Sequence, residues 1–534
     1  ATSFFDVILV ILPYAIGAIV ALGLLSLFMT EQGRSRYESV LCAVAILLWL
    51  QSNILVWNYG VLDGSDINWM VGAWRGALDI VIWAVVLWLA ISAYVRFGKA
   101  LLVGAIVTFA IQLISSTSIL ITHPDVLDER DIESSLEGRD ATMRFSREQN
   151  IVHIVMDGFQ SDIFEAILAD TTERDFKSEL RGFTYFDQHL GAYPYTQLTL
   201  PALLSGELYR NQEPVESFVS AALGGQTITN VAFAEGYEVD VAAPTALKNV
   251  YVLGDTSNAY GISPSGHVDV DDFARSDSAR LMDLALFRGV PHFAKALVHR
   301  DELWVFQATS QADAYLQMQY FSDLAYLNDL ATDMTVDRDV PVYKLIHVML
   351  SHRPIVGNER CEFGGRKPES RAAVRTHAQC GLLGVLSVLQ RMKDLGIYDS
   401  SLIVLMADHG AWVPVEDFAE SDAVNALTVA MATPVLAVKP PDTPGEFQVS
   451  SAPSSIVDIP ATIADIAGFS ASFGGQSVFS INATASRPRR HLVYGYGINP
   501  KAEGYLFPMQ EFVVDGSPYD AESWRKAERH LPND

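Results

Sequence analysis

The sequence is poor in basic residues and in cysteine. Its 534 residues include 37 Lys and Arg against 63 Asp and Glu, a formal net charge of −26, and three cysteines. A chain this acidic repels phosphate backbones, so nucleic acid is excluded as an expected partner. Only two of them, Cys361 and Cys380, lie beyond residue 122, and two thiols are too few for a Cys-type zinc site. Half of the residues are hydrophobic, which excludes an intrinsically disordered chain.

Charged residues are also scarce in the first 122 residues, whose net charge is −1. The rest of the chain therefore has a net charge of −25. Four apolar stretches occur there, at residues 7–29, 39–57, 77–95 and 100–121. Each is close to the ~20 residues that a helix needs to cross a bilayer. We predict that residues 1–122 form a transmembrane domain with four helices, acting as an anchor rather than as a transport path.

The few basic residues of this region predict its orientation. Arg34 and Arg36 lie between the first two stretches, and Arg96 and Lys99 lie between the last two. Short loops with such residues stay in the cytoplasm. We therefore expect a multi-pass protein of the inner (cytoplasmic) membrane, with everything after residue 122 facing the periplasm or the exterior.

Four polar residues lie at membrane depth: Gln51, Ser52, Asn53 and Asp79. Polar groups are costly in lipid, so we expect them to face other helices or a cavity. Residues 123–149 are rich in charge, which is typical of a juxtamembrane linker. Beyond the linker, Cys361 and Cys380 are candidates for a disulfide in an oxidising compartment, with two free thiols as the alternative.

The pattern of residues 150–534 is typical of an α/β domain, because apolar β-type runs alternate with helical segments. The run "IVHIVMD" ends in Asp157, "VYKLIHVML" is followed by His352, and "SLIVLMADHG" ends in Asp408 and His409. Parallel strands bring such residues to one sheet edge. Each alone could be a turn or cap residue, but together they suit a divalent zinc or manganese ion.

The segment "GAYPYTQLTLPALLSGE" offers two candidate nucleophiles, Thr196 and Thr199, at a predicted helix start. A threonine hydroxyl reacts when a metal or a base deprotonates it. The free N–H groups of a helix N-terminus also bind phosphate or sulfate. The alternative for Thr199 is an N-cap, with Pro201 close behind.

These motifs resemble the alkaline phosphatase superfamily, in its sulfatase-like branch of membrane-anchored phosphoethanolamine and glycerol-phosphate transferases. The resemblance covers most of residues 150–470 and implies a sulfatase-like α/β sandwich with a mostly parallel central sheet. "NIVHIVMDGFQSD" is similar to the opening strand of the family and implies a metal ligand at Asp157. "MADHG" resembles its Asp-His-Gly motif and implies ligands at Asp408 and His409.

The same resemblance implies the reacting groups. "TQLTLPALLSG" is similar to the transferases' nucleophile segment, which implies that Thr196 is the nucleophile and a metal ligand. "HVMLSHRP" resembles their His-x-x-Gly-Ser-His-x-Pro motif, which implies a substrate-site histidine at His352 and, less closely, at His347.

Three departures from the family patterns narrow the function. No Cys-x-Pro-Ser-Arg or Ser-x-Pro-x-Arg motif occurs, so the formylglycine of true sulfatases cannot form. His347 and His352 stand where two-zinc phosphodiesterases have Asp-x-x-x-His, which favours one metal ion. The transferases' histidine after Asp-His-Gly is missing, and His491 could supply an imidazole from the C-terminal part, although its neighbours Arg489 and Arg490 favour the surface.

The resemblance implies an enzyme that moves a phospho-alcohol headgroup from a membrane phospholipid to a surface glycan or a lipid-linked sugar. The headgroup would pass through a phospho-threonine at Thr196, with His352 as general acid and base and His347 positioning the substrate. One alternative is a membrane-tethered phosphodiesterase or phosphatase, and another is an inactive scaffold in polysaccharide assembly. The amphipathic segment "RLMDLALFRGVPHFAKALVHRDELW" is expected to pack in a core with one solvated face, and the alternatives are a cap over the site or contact with the membrane surface.

Overall fold

The computed structural model describes residues 4–57, 69, 73–122, 138–171, 174–262, 270–300, 304–306, 313–365, 367–495, 502 and 504–532. The chain forms two compact units. The helical unit comprises Ala1–Ile132 and Ser265–Tyr315, and the sheet unit comprises Glu133–Pro264 and Leu316–Asp534. The first half of the linker predicted at 123–149 lies outside the described residues. The segment 265–315, which the sequence placed within residues 150–534, groups with the N-terminal helices.

The helices are α1 (Phe4–Leu27), α2 (Glu31–Asn53), α3 (Ala73–Ser92), α4 (Tyr94–Thr122), α5 (Ser161–Ala169), α6 (Phe176–Glu179), α7 (Thr196–Ser205), α8 (Val215–Gly224), α9 (Ile228–Ala234), α10 (Thr245–Tyr251), α11 (Val270–Gly289), α12 (His292–His299), α13 (Asp313–Asp333), α14 (Arg371–Asp394), α15 (Ala426–Ala432) and α16 (Ile459–Ala467). The strands are β1 (Arg144–Ser146), β2 (Asn150–Met156), β3 (Thr184–Phe186), β4 (Glu238–Pro244), β5 (Asn258–Ile262), β6 (Thr335–Arg338), β7 (Val342–Val348), β8 (Leu402–Met406), β9 (Leu436–Lys439), β10 (Gln448–Ser450), β11 (Arg489–Val493), β12 (Met509–Val514) and β13 (Trp524–His530).

Among the described residues, four helical segments are long and apolar enough to cross a membrane: Val7–Leu27, Trp74–Ser92, Tyr94–Thr122 and Arg371–Asp394. The first three match three of the predicted spans. The fourth is α14, which packs in the core of the sheet unit. Helix α2 contains most of the predicted span 39–57 but is less apolar, because its first two turns carry four charged residues and its end is polar.

The expectation that polar residues at membrane depth face other helices or a cavity holds for some of them and not for others. Gln51 and Asp79 are completely buried, and the Gln51 amide donates to the Asp79 carboxylate at 3.1 Å. Asn53 instead is exposed and donates to the Trp49 carbonyl of its own helix at 2.9 Å. Burial of Asp79 therefore depends on partners that satisfy its carboxylate.

The sheet unit is built on one large sheet with the strand order β10-β3-β9-β8-β2-β7-β4-β5. All neighbours pair in parallel except β9, which is antiparallel to both β3 and β8. Strand β2 is buried on both faces: Val152 and Ile154 enter one apolar core with α5 and α14, while Ile151 and Val155 enter the other with α7 and α16. This confirms the predicted α/β fold with a mostly parallel sheet, including its strands β2, β7 and β8.

Smaller elements complete the sheet unit. Strands β11, β12 and β13 form an antiparallel sheet, and β1 pairs with β6 in parallel. Cys361 and Cys380 form a disulfide with a Cα–Cα distance of 5.4 Å, which confirms that pairing. Cys42, in α2, is a free cysteine.

The surface position expected for His491 is wrong. The side chain is completely buried in β11, and its Nδ1 lies 2.8 Å from the Gly191 carbonyl oxygen, to which it donates. Neighbouring arginines did not reveal this, because strand residues alternate between the faces of a sheet. Burial lowers the pKa of His491 to about 4.

Acid should therefore destabilise the protein. Burial also lowers the pKa of His153, His189 and His377 to about 3 each. Between pH 6.5 and about 4 the unfolded chain binds protons that the native state excludes, so the free energy of unfolding falls as the pH falls. We expect His491→Asn, which keeps a donor to Gly191, to flatten this dependence by on the order of 1 to 3 kcal/mol. Thermal unfolding at pH 7 and pH 5 measures it, and an unchanged slope would contradict the assignment.

Candidate active site

The carboxyl ends of β2 and β8 bring three potential metal ligands together. Asp157 follows β2 directly, and Asp408 and His409 follow β8 after one residue. Because β2 and β8 are parallel neighbours, these residues meet at one sheet edge. All three are buried, and one ligand atom of each lies within 4.8 Å of the others. The structure thus assembles the predicted cluster.

Two oxygens of this cluster have no hydrogen-bond donor among the described residues, Asp157 Oδ1 and Asp408 Oδ2. The other oxygen of Asp408 accepts the Gly158 N–H at 3.2 Å. A buried carboxylate oxygen without a donor is costly, and a cation would remove that cost. Two carboxylates and an imidazole are ligands that zinc and manganese accept. The residues therefore fit a divalent metal ion.

The neighbouring carboxylates and imidazoles shift the pKa values of Asp157 and His409 toward the charged forms. Burial alone would raise the pKa of Asp157, but His352, His347 and His409 together hold that pKa well below its usual value. Burial would lower the pKa of His409, but Asp408 and Asp157 raise it. The site therefore favours a charged Asp157 at its centre.

Thr196 lies against this cluster as the first residue of α7. Its Oγ1 lies 3.2 Å from Asp157 Oδ2 and 3.4 Å from His409 Nε2. The backbone N–H groups of the first turn of a helix have no partner within that helix, so this end favours an anionic group. Thr199 lies inside the helix and donates its hydroxyl proton to the Tyr195 carbonyl at 2.9 Å. The N-cap alternative for Thr199 is therefore wrong, since Tyr195 takes that position.

The two predicted histidines differ in depth. His347, in β7, is completely buried; its Nε2 lies 3.3 Å from Asp157 Oδ2 and its Nδ1 lies 2.7 Å from the Tyr251 hydroxyl. His352 follows the strand and is half-buried, with its ring centre 6.3 Å from that of His409. His352 alone of the two therefore offers surface to a substrate.

Two residues beside the cluster escaped the sequence-based prediction. The Trp412 ring lies 5.0 Å from the His409 ring and 5.3 Å from the His352 ring, between centres. The Arg353 guanidinium lies 4.3 Å from the centre of the Trp412 ring. Arg353 directly follows His352, and Trp412 lies three residues after His409. This closeness to motif residues was the sequence signal that could have identified them.

Asp323 also escaped prediction, because it lies on α13, far from any motif. Its completely buried carboxylate accepts the Met349 N–H at 2.6 Å and the Gln319 amide at 2.8 Å. Met349 begins the segment that leads from β7 to His352. Asp323 therefore fixes the start of that segment.

Comparison with known proteins gives a family for this arrangement. The family model described as Sulfatase matches residues 149–469. No curated protein matches the chain. Similar solved structures include an alkaline phosphatase superfamily protein of Vibrio parahaemolyticus, with 13% identity and a TM-score of 0.42, covering 75% of this chain and 91% of that one.

Two further similar structures are a zinc complex and a named synthase. The periplasmic domain of EptC from Escherichia coli, in complex with Zn, is 14% identical with a TM-score of 0.37 and covers 67% of this chain and 92% of that one. The lipoteichoic acid synthase LtaP from Listeria monocytogenes is 12% identical with a TM-score of 0.39 and covers 71% and 86%.

The family match spans more than half of the chain and contains every residue of the assembled cluster, from Asp157 to His409. It covers neither the N-terminal helices nor the small antiparallel sheet β11-β12-β13. The chain therefore belongs to the sulfatase family of the alkaline phosphatase superfamily, whose members are metal-dependent hydrolases and transferases.

Proposed function

We propose that the protein is a membrane-anchored phosphotransferase. It moves phosphoethanolamine or phosphoglycerol from a phospholipid to a surface glycan or a lipid-linked sugar, through a phospho-threonine at Thr196. The observation that carries this proposal is the position of the Thr196 hydroxyl, 3.2 Å from Asp157 and 3.4 Å from His409 at the start of a helix. A threonine here, without a formylglycine motif, favours phosphoryl transfer over sulfate-ester hydrolysis.

The chain supplies the parts of a two-step transfer. A zinc or manganese ion held by Asp157, Asp408, His409 and Thr196 would lower the pKa of the Thr196 hydroxyl. The Thr196 hydroxyl loses its proton to solvent, its alkoxide attacks the phosphorus, and the bond to the diacylglycerol oxygen breaks as His352 gives that oxygen a proton. In the second step, His352 takes the proton of the acceptor hydroxyl, whose oxygen forms the new bond to phosphorus and displaces Thr196 as the alkoxide.

The remaining site residues act on these groups. His347 has no exposed surface and contacts Asp157, so in this proposal it holds the carboxylate rather than touching the substrate. The N–H groups at the start of α7 would stabilise the charge of the phosphoryl oxygens. Trp412 and Arg353 line the side of the cluster on which His352 lies.

The location follows from the other features of the chain. Three apolar helices of the helical unit are long enough to anchor it in a membrane. The Cys361–Cys380 disulfide favours an oxidising compartment. The basic residues Arg34, Arg36, Arg96 and Lys99 favour a cytoplasmic position for their loops. We therefore place the protein in the inner membrane, with the sheet unit on the periplasmic or exterior side, where lipid donors are at hand.

The test is product analysis with the full-length protein. We would incubate it with vesicles of phosphatidylethanolamine or phosphatidylglycerol and with zinc or manganese, with and without an acceptor glycan. We expect diacylglycerol release from one lipid, a phospho-alcohol mass increment on Thr196 without acceptor, and its discharge when acceptor is added. Continuous release without acceptor would identify a hydrolase instead. Absence of release from both lipids would contradict the lipid donor, and absence of metal as well would favour the scaffold alternative.

Removal of Asp323 should slow the reaction without removing the nucleophile. Asp323→Ala leaves the half-buried Met349 N–H without its acceptor and loosens the segment that carries His352. We expect turnover to fall by about 10- to 100-fold, the loss that a misplacement of ~1 Å can cause. Asp323→Asn keeps an acceptor for Met349 and is the matched control with nearly normal turnover. Equal losses in both variants would contradict a positioning role, and Thr196 adduct formation shows that the fold is retained.

A further inference from the structure

Helix α12, His292–His299, has its polar and apolar faces reversed relative to a helix on a water-soluble protein. His292, Lys295 and His299 are buried, whereas Phe293 is 58% exposed and Leu297 is 71% exposed. Apolar residues at i and i+4 share one helix face. A surface helix in water places its charged residues outward and its apolar residues inward. The sequence-based expectation of a solvated polar face is therefore wrong for α12.

The polar face of α12 packs against other parts of the helical unit. The Lys295 ammonium donates to the Phe287 carbonyl, and lies 3.4 Å from the Arg288 carbonyl, at the C-terminal end of α11. A cation there compensates the unpaired carbonyls and the negative end of the helix dipole. The backbone N–H of His292 donates to Asp79 Oδ2 at 2.9 Å, and the Trp69 ring lies 5.8 Å from the His299 ring, between centres. The buried face of α12 therefore makes specific hydrogen bonds and ring contacts with the rest of the helical unit.

The contacts of α11 and α12 place them at one end of the helical unit. The Ser278 hydroxyl lies 3.4 Å from the Val7 carbonyl, near the start of α1, and the Arg288 guanidinium donates to the Ser52 carbonyl at 2.7 Å, near the end of α2. Asp79, the partner of His292, lies near the start of α3. Antiparallel neighbours bring the start of one helix to the end of the next, so all three contacts lie at the same end.

Tryptophans mark this end as a membrane interface. The rings of Trp57 and Trp74 lie 5.8 Å apart, and the Trp57 indole N–H lies 3.3 Å from Asp79 Oδ1. Trp69 packs against His292 and His299 of α12. Tryptophan concentrates at the level of lipid headgroups, where its ring is apolar and its N–H finds a partner. The three tryptophans therefore lie at the end of the helical unit that carries α12, an arrangement expected of a helix at headgroup depth.

We propose that α12 is an interfacial membrane-binding helix whose Phe293, Ala296 and Leu297 face contacts lipid. Burial of the Phe293 and Leu297 side chains in the acyl region removes their apolar surface from water, which stabilises the bound helix. Helix α3, which α12 contacts through the His292–Asp79 hydrogen bond, also exposes apolar side chains, among them Trp74 and Leu78. Arg300 is exposed at the end of the helix, where its guanidinium would pair with a lipid phosphate.

This proposal is independent of the reaction at Thr196 and adds a second kind of membrane contact. The chain leaves the sheet unit after residue 264 and returns to it at residue 316. The intervening segment supplies a helix that lies in the interface rather than across it. Its length of eight residues is too short to span a bilayer.

Spin labelling of the full-length protein in phospholipid nanodiscs tests this assignment. A nitroxide is placed by Leu297→Cys, and separately by Phe293→Cys, in a Cys42→Ser background, because Cys361 and Cys380 are bonded to each other. Leu427→Cys, at an exposed leucine of the sheet unit, is the matched control. We expect the ratio of oxygen to nickel-chelate accessibility to be at least several-fold higher at 293 and 297 than at 427.

Three outcomes decide the proposal. A high ratio at either labelled position of α12 supports it, and two positions guard against a variant that fails to fold. A ratio equal to that of the control places the face in water and overturns it. Low accessibility to both reagents, with an immobilised spectrum at both positions, means that protein covers the face, for example a second copy of the chain, and also overturns it.

Discussion

Thr196→Ala should abolish both diacylglycerol release and the phospho-alcohol adduct, with turnover reduced by about 10³-fold or more, because the proposed covalent intermediate forms on the hydroxyl that is lost. The hydroxyl that is lost lies within 3.4 Å of both Asp157 and His409. Thr196→Ser keeps an oxygen at the same place and should retain part of the activity. Intact and peptide mass spectrometry after incubation with the donor lipid measures the adduct directly.

The chain offers a matched control for this experiment in Thr199, one turn further along α7. Its hydroxyl donates to the Tyr195 carbonyl of its own helix rather than to a residue of the cluster. Thr199→Ala should therefore retain adduct formation and most of the turnover. An adduct that persists in Thr196→Ala, or disappears in Thr199→Ala alone, would contradict the assignment of the nucleophile.

The central sheet could be predicted because its strands carry their own signal. The runs at β2, β7 and β8 are continuous and apolar, as strands covered on both faces must be, and each is followed by polar residues. Parallel pairing then brings Asp157, Asp408 and His409 to one edge without further information. The resemblance to known motifs contributed Thr196, and the structure places its hydroxyl against the same cluster.

Features that depend on distant partners could not be predicted. His491 follows two arginines, yet it is buried, because its environment comes from the Gly191 segment 300 residues away. Asp323 has no motif around it, and its role arises from a contact with Met349. The sequence of α12 has the amphipathic pattern of an ordinary surface helix. The two kinds of helix differ in which face is buried, and in α12 it is the polar face. Periodicity predicts that a helix has two faces but not which one meets solvent.

Asp408→Asn should remove the metal ion while leaving the fold in place. The substituted amide keeps an oxygen to accept the Gly158 N–H, but the charge at Oδ2, which has no hydrogen-bond partner, is lost. Since two carboxylates and one imidazole form the cluster, loss of one charge should weaken zinc or manganese binding at least 10- to 100-fold.

Metal binding can be measured without any substrate. A ligand that binds the native state alone stabilises it by about 2.7 kcal/mol at a concentration of 100 times its Kd. Metal added to the chelator-treated parent should therefore raise its unfolding temperature, and elemental analysis should find one ion per chain. Asp408→Asn should show neither effect, and its turnover should fall with its metal content. Asp162→Asn, which changes a carboxylate paired with Arg371 outside the cluster, is the control and should match the parent. A full complement of metal in Asp408→Asn would show that the ion binds elsewhere.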